Sequence, residues 1–326
     1  MKNRAASGAI ALVVVAGLLL GLFTTSAHVK ARGFDYIEHG EQFTRHQDLM
    51  EGRAGNPWQY RVLAPYMVNG ALKLLERLHV PRHVAASFVG FRVILDTLVL
   101  LLAFAYYRKL GLSLPFALIG MAILAWGMSY SHYNSDLQFS TFFGIIFYLL
   151  AGLCIRDGRF VWIVTITVLA AFNRETSALI PFMLLGVAML ASQQGSVRKV
   201  LPVFATALAA YVAIFVGLRL AYGSQEFIAP YGHYPGLDLL WFNLSRRVTW
   251  WQLIATLSVV PVVAALGYRT WPDQLRAFFW VVVPVWFVVH AFGSVMAETR
   301  LLLVPQAMVF VPGALLYLAH QARRPS

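Results

Sequence analysis

The sequence predicts an all-α, multi-pass membrane protein, and three observations predict it. Of its 326 residues, 59% are hydrophobic and 12% are charged, against roughly 25% charge in a soluble domain. The mean hydropathy is +0.67. Apolar runs near the ~20 residues that cross a bilayer recur along the chain. The net charge of +12 would suggest nucleic acid in a soluble protein. Here its distribution assigns it to membrane orientation, and no nucleic-acid partner is expected. The single cysteine, Cys154, lies in an apolar run, which excludes a disulfide framework and a thiolate metal site. No internal repeat and no soluble end segment stands out. One transmembrane domain over 1–326, without a soluble C-terminal domain, is the expectation.

The elements follow in order. Lys2 and Arg4 precede an apolar run over 9–23. Thr25-Ser26-Ala27 resembles a small-residue cleavage site, but the run is long for a signal core, so an uncleaved first span is expected. A polar outer loop covers about 27–60 and holds Asp35, Glu38, Glu41, Asp48 and Glu51, five of the fourteen acidic residues. Residues 60–78 have apolar positions at helical spacing with Lys73, Glu76 and Arg77 among them, which suits an interfacial helix. Further spans are read at 84–107, 115–130, 139–155, 160–172, 178–191 and 200–221. A second polar loop over about 223–250 ends at Trp250 and Trp251, aromatic anchors for an interface. The last three spans are read at 253–267, 278–289 and 301–318, about ten in all.

Charge then orients the chain. The termini and the loops after even-numbered spans carry Lys2, Arg4, Arg108, Lys109, Arg156, Arg159, Arg198, Lys199, Arg269, Arg276, Arg323 and Arg324, against Asp157 and Asp273. Positive charge in short loops marks the cytoplasm. Both termini are therefore expected inside, with both long loops and almost every acidic group outside. From size and simplicity, a bacterial inner membrane is the expected location.

The candidate site lies on that outer face. Asp35, Glu38, Arg61, His132, Asp136, Asn173, Arg174, Glu175, Glu298 and Arg300 gather there, several at span ends. Arg92 and Asp96 lie inside the second span, four residues apart and on one helix face. Each alone costs about 2.5–3.5 kcal/mol at mid-bilayer. They either pair as a lock between helices or face a polar cavity that takes substrate. Asn173-Arg174-Glu175 breaks an apolar run too briefly for a roaming loop. It reads either as a buried ion pair or as a phosphate ligand, since the planar guanidinium fork matches phosphate oxygens. Glu298 and Arg300 repeat the pairing; Glu298 also suits an ordinary helix N-terminus. His132, Asp136, His39, His233 and His290 have no zinc-motif spacing. No cofactor is expected, and a divalent metal is not favoured.

A first span, then a loop opening GFDYIEHGEQF, then YRVLAPYM, then many short-looped spans resembles the GT-C superfamily of membrane glycosyltransferases. NRETSALIPF and ETRLLLVPQAMVFVP are similar to segments of its small bacterial members. The resemblance implies transfer of a sugar from a polyprenyl-phosphate carrier to a glycan, lipid or protein acceptor, with inversion, within a bilayer whose lipids are also partners. It implies Asp35, with Glu38 in reserve, as the base that deprotonates the acceptor. By position Arg61, Arg174 and Arg300 are candidates for the carrier phosphate, with Arg92, Asp96, His132, Asp136, Asn173, Glu175 and Glu298 as further binding residues. Three other readings stay open: a lipid-linked saccharide transporter or flippase, a polysaccharide polymerase or ligase, and a non-catalytic assembly protein. A transport pathway should place polar groups on both faces, and here they are one-sided.

Overall fold

The computed structural model describes residues 2–134, 136–190 and 197–323. Among them the regular structure is helical. In chain order the helices are α1 (Lys2–Arg32), α2 (Phe34–Glu38), α3 (Glu41–Met50), α4 (Leu63–Arg77), α5 (His83–Lys109), α6 (Leu114–Tyr130), α7 (Phe139–Arg156) and α8 (Trp162–Ala171). They continue with α9 (Leu179–Leu190), α10 (Val197–Tyr222), α11 (Leu237–Ser245), α12 (Arg247–Leu257), α13 (Val260–Leu266), α14 (Asp273–Gly293) and α15 (Thr299–Gln321). Among the described residues, six helices (α1, α5, α7, α10, α14 and α15) are long and apolar enough to cross a membrane. The count is seven if α12 and α13, bent by 64° at Ser258, form one broken span. α6, α8 and the stretch Glu175–Leu190 are apolar but shorter. The chain is thus a helical membrane protein by length and composition.

The first polar segment is more regular than a loop. α1 continues past residue 27 because nothing breaks it before Gly33, whose φ of 85° is open to glycine without strain. α2 and α3 then fill most of the segment. α4 forms a helix over Leu63–Arg77 with one buried and one exposed apolar side. It buries Ala64, Val68 and Leu72 and leaves Tyr66, Met67 and Leu74 exposed.

α1 packs along α5 and α6. Gly21 makes the close approach possible: a Cβ there would lie 2.6 Å from the Thr97 hydroxyl and 3.1 Å from the Thr97 backbone nitrogen. Helix pairs in a bilayer gain from such small residues because lipid supplies no hydrophobic drive between them. Gly21→Leu is expected to push α1 off α5 and to lower stability by about 1–3 kcal/mol, read as a fall in the melting temperature of purified protein.

The core runs through α5, α7, α14 and α15, and α15 is the most enclosed of the long helices. Its residues Gln306–Phe310 form a π-helical stretch. Two tyrosines of α5 serve its carbonyls: Tyr106 donates to Met308 O and Tyr107 to Ala307 O, both at 3.1 Å. The two long polar segments touch. Asn56 N donates to Glu226 O at 2.9 Å, and Tyr60 OH donates to Gly223 O at 2.9 Å.

Candidate functional site

Three breaks in the helical pattern bring three arginines together. Arg61 follows the short 3-10 turn Trp58–Tyr60. Arg174 sits in the gap between α8 and α9, and Arg300 lies in the first turn of α15. Arg61 sends Nε and Nη2 to one oxygen of Glu175, at 3.1 and 2.8 Å. Arg300 sends Nε and Nη2 to Glu298, at 3.2 and 2.8 Å, and Nη1 to Asp136 Oδ1 at 3.1 Å. The Trp58 ring lies beside both guanidinium groups, 4.9 Å from Arg61 and 5.8 Å from Arg300.

Arg174 differs from its neighbours. It is 5% exposed, has no ion pair among the described residues, and its Nε is buried without a hydrogen-bond partner. Burial, with the like charges of Arg61 and Arg300, pushes its guanidinium down to about 9, and Glu175 and Asp136 oppose this. It stays charged at neutral pH. A buried cation without a counter-ion is costly, so an anion is the ligand that this position favours. The backbone that carries it is firmly held. Tyr211 OH donates to Glu175 O at 2.8 Å, Tyr148 OH to Thr176 O at 2.6 Å, and Asn173 Nδ2 to Ser140 O at 2.8 Å. The cavity lined by Gly144, Tyr148, Asn173, Arg174 and Ser177 measures about 10 Å³, room for about one water.

Asp136 is the carboxylate inside this arginine group. Its side chain is 32% exposed. Oδ1 accepts from Arg300 and, at 2.9 Å, from Gln138 N. Burial works against its charged form, but Arg300 and the Gln138 amide outweigh that and hold the carboxyl below its ordinary value.

The other expected residues fall elsewhere. Asp35 is exposed on α2, and its side chain makes no hydrogen bond or ion pair among the described residues. Glu38 ends the same helix, half-buried. His132 is half-buried with its ring edge-on to His28 at 6.1 Å. His290 stacks on Trp286 at 5.0 Å and shares a hydrogen bond with its carbonyl. His233 pairs with Asp238 at the surface. No group of three or more metal-ligating side chains is present among the described residues.

Arg92 and Asp96 pair with each other in the structure. Both are fully buried, with Arg92 Nε 3.3 Å from Asp96 Oδ2. Thr24 and Thr25 of α1 donate to the same oxygen at 2.6 and 2.9 Å. Arg92 Nη1 lies 3.0 Å from His28 Nδ1 and donates to Leu137 O at 3.0 Å. A guanidinium only donates, so Nδ1 accepts and a neutral His28 carries its proton on Nε2. Sequence reasoning missed Trp58, His28, Thr24, Thr25 and Tyr211. Thr24 and Thr25 look like ordinary polar residues near a span end, and nothing local marks the others.

Fold and site define a multi-pass helical membrane protein with an arginine–carboxylate cluster where several helices end. Compared with protein-family models, curated proteins and solved structures, the chain matches none.

Proposed function

We propose that the chain is a GT-C-type membrane glycosyltransferase that moves a sugar from a polyprenyl-phosphate carrier to an acceptor on the outer face. The observation that carries this is Arg174: buried, charged, without an ion pair among the described residues, and flanked by Arg61 and Arg300. A phosphate leaving group needs cationic stabilisation as its charge develops, and arginine offers paired donors for it. The bond from the anomeric carbon to the phosphate oxygen breaks, and its electrons leave with the phosphate. The acceptor oxygen bonds to that carbon from the opposite side, and an outer-face carboxylate takes its proton. Asp35 and Glu38 are the carboxylates that the GT-C resemblance implies for this last role.

In this reading the six long helices, the bent pair and the three shorter apolar stretches make ten crossings. Both termini lie in the cytoplasm of a bacterial cell, and the cluster opens outward. The cavity at Arg174 has room for about one water, so this reading requires it to open for a phosphate. The transporter reading loses support because Arg92 and Asp96, its best pathway residues, are spent on each other and on α1.

The test is transfer from labelled polyprenyl-phosphate sugars, offered as a panel, in membranes that contain the protein. Transfer to any acceptor supports the enzyme. Failure across the panel, with labelled lipid-linked sugar crossing reconstituted vesicles instead, overturns it in favour of transport.

A further inference from the structure

We infer that Asp136, rather than a carboxylate of the first outer segment, is the catalytic base. The inference rests on the glycosyltransferase reading and adds to it a residue that the resemblance does not supply.

Position comes first. A base has to stand within hydrogen-bond reach of the acceptor hydroxyl while the leaving phosphate is held by cations. Asp136 is bonded to Arg300 at 3.1 Å, and Arg174 acts on it electrostatically. It therefore stands beside the proposed phosphate site. Asp35 makes no hydrogen bond or ion pair to any of the three arginines among the described residues.

Orientation comes second. Oδ1 is fixed by two donors, the Arg300 guanidinium and the Gln138 amide. Oδ2 accepts no hydrogen bond among the described residues, and the side chain is partly open. One oxygen is anchored and the other is available to a proton.

Support comes third. The adjoining backbone is pinned from two other parts of the chain. Arg92, from inside the membrane, donates to Leu137 O at 3.0 Å. Leu137 N donates to Gln42 Oε1 of α3 at 2.8 Å. Side chains held in this way by surrounding hydrogen bonds are preorganised for chemistry. The buried Arg92–Asp96 pair thereby gains a purpose beyond joining helices: Arg92 is a positioning residue for Asp136.

A weak base is adequate here. Where bond breaking runs ahead of bond making, the anomeric carbon is oxocarbenium-like, and the acceptor proton leaves late. The proton goes to Asp136 Oδ2, the new carbon–oxygen bond forms, and phosphate departs with the electron pair of the broken bond.

The experiment uses the full chain in membranes, with Asp136→Asn, Asp136→Ala and Asp35→Asn beside wild type. Asn at 136 keeps an oxygen for Arg300 and Gln138. Asp136→Asn is expected to lose about 10²–10⁴-fold in turnover, with KM for the carrier sugar within a few-fold of wild type. Asp35→Asn is expected to lose less turnover than Asp136→Asn and to gain nothing from azide. Azide attacks without losing a proton, so it needs no base. Asp136→Ala with sodium azide is expected to form the glycosyl azide from the same donor. That product distinguishes a missing base from a damaged fold. Full turnover in Asp136→Asn, or loss in Asp35→Asn with azide rescue there, overturns the assignment and leaves the enzyme standing. No transfer by wild type overturns both.

Discussion

Arg174→Met is expected to lower sugar transfer by about 10²–10³-fold, the usual cost of deleting one preorganised donor to a developing anion. The same change is expected to raise the melting temperature. Arg174 is 5% exposed and has no ion pair among the described residues. Its burial is a standing cost that Met, of similar length and apolar, removes. A gain of about 0.5–2 kcal/mol is in the range seen when an active site gives up strain for stability. The two readouts move in opposite directions only if the guanidinium is kept for a ligand. A variant that loses transfer and also melts earlier would make Arg174 a structural residue. A variant with full transfer would remove it from the site.

The second large effect concerns the lock beneath the cluster. Arg92→Met strands Asp96 in a fully buried setting, with Thr24 and Thr25 as its remaining partners among the described residues. Breaking a buried pair from one side costs about 3–5 kcal/mol. Purified Arg92→Met should therefore unfold well below wild type. Replacing both partners, as in Arg92→Met with Asp96→Leu, should recover most of that loss, because well-packed apolar residues replace buried pairs at little cost. Sugar transfer should stay low in the double variant, since Leu137 O has still lost its donor. Restored stability together with restored transfer would show that the pair only joins helices.

Much of this architecture was open to reading from the sequence. The long apolar runs marked α1, α5, α7, α10, α14 and α15 because bilayer thickness sets a length that few soluble helices combine with such composition. The i, i+4 spacing placed Arg92 and Asp96 on one face. The abrupt Asn173-Arg174-Glu175 break stood out against its apolar flanks. What stayed hidden is pairing across the chain. Arg61 meets Glu175 and Arg300 meets Asp136 through contacts between elements more than a hundred positions apart. Periodicity reports which face of a helix is buried and not against what. Asp35 drew notice by its place in the first outer segment, yet Asp136 holds the contacts. Short apolar segments such as the ten residues of α8 are also ambiguous by length alone.

The arginines also arrive in order. Arg61 and Glu175 are both made by the time little more than half the chain has left the ribosome. Asp136 is made before Glu175, yet its cation, Arg300, follows 164 residues later in α15. Until Arg300 is made, the cluster has the Arg61–Glu175 pair in hand and Asp136 still waits for its cation. A chain interrupted before Arg300 therefore lacks the cation that holds Asp136 in the folded protein.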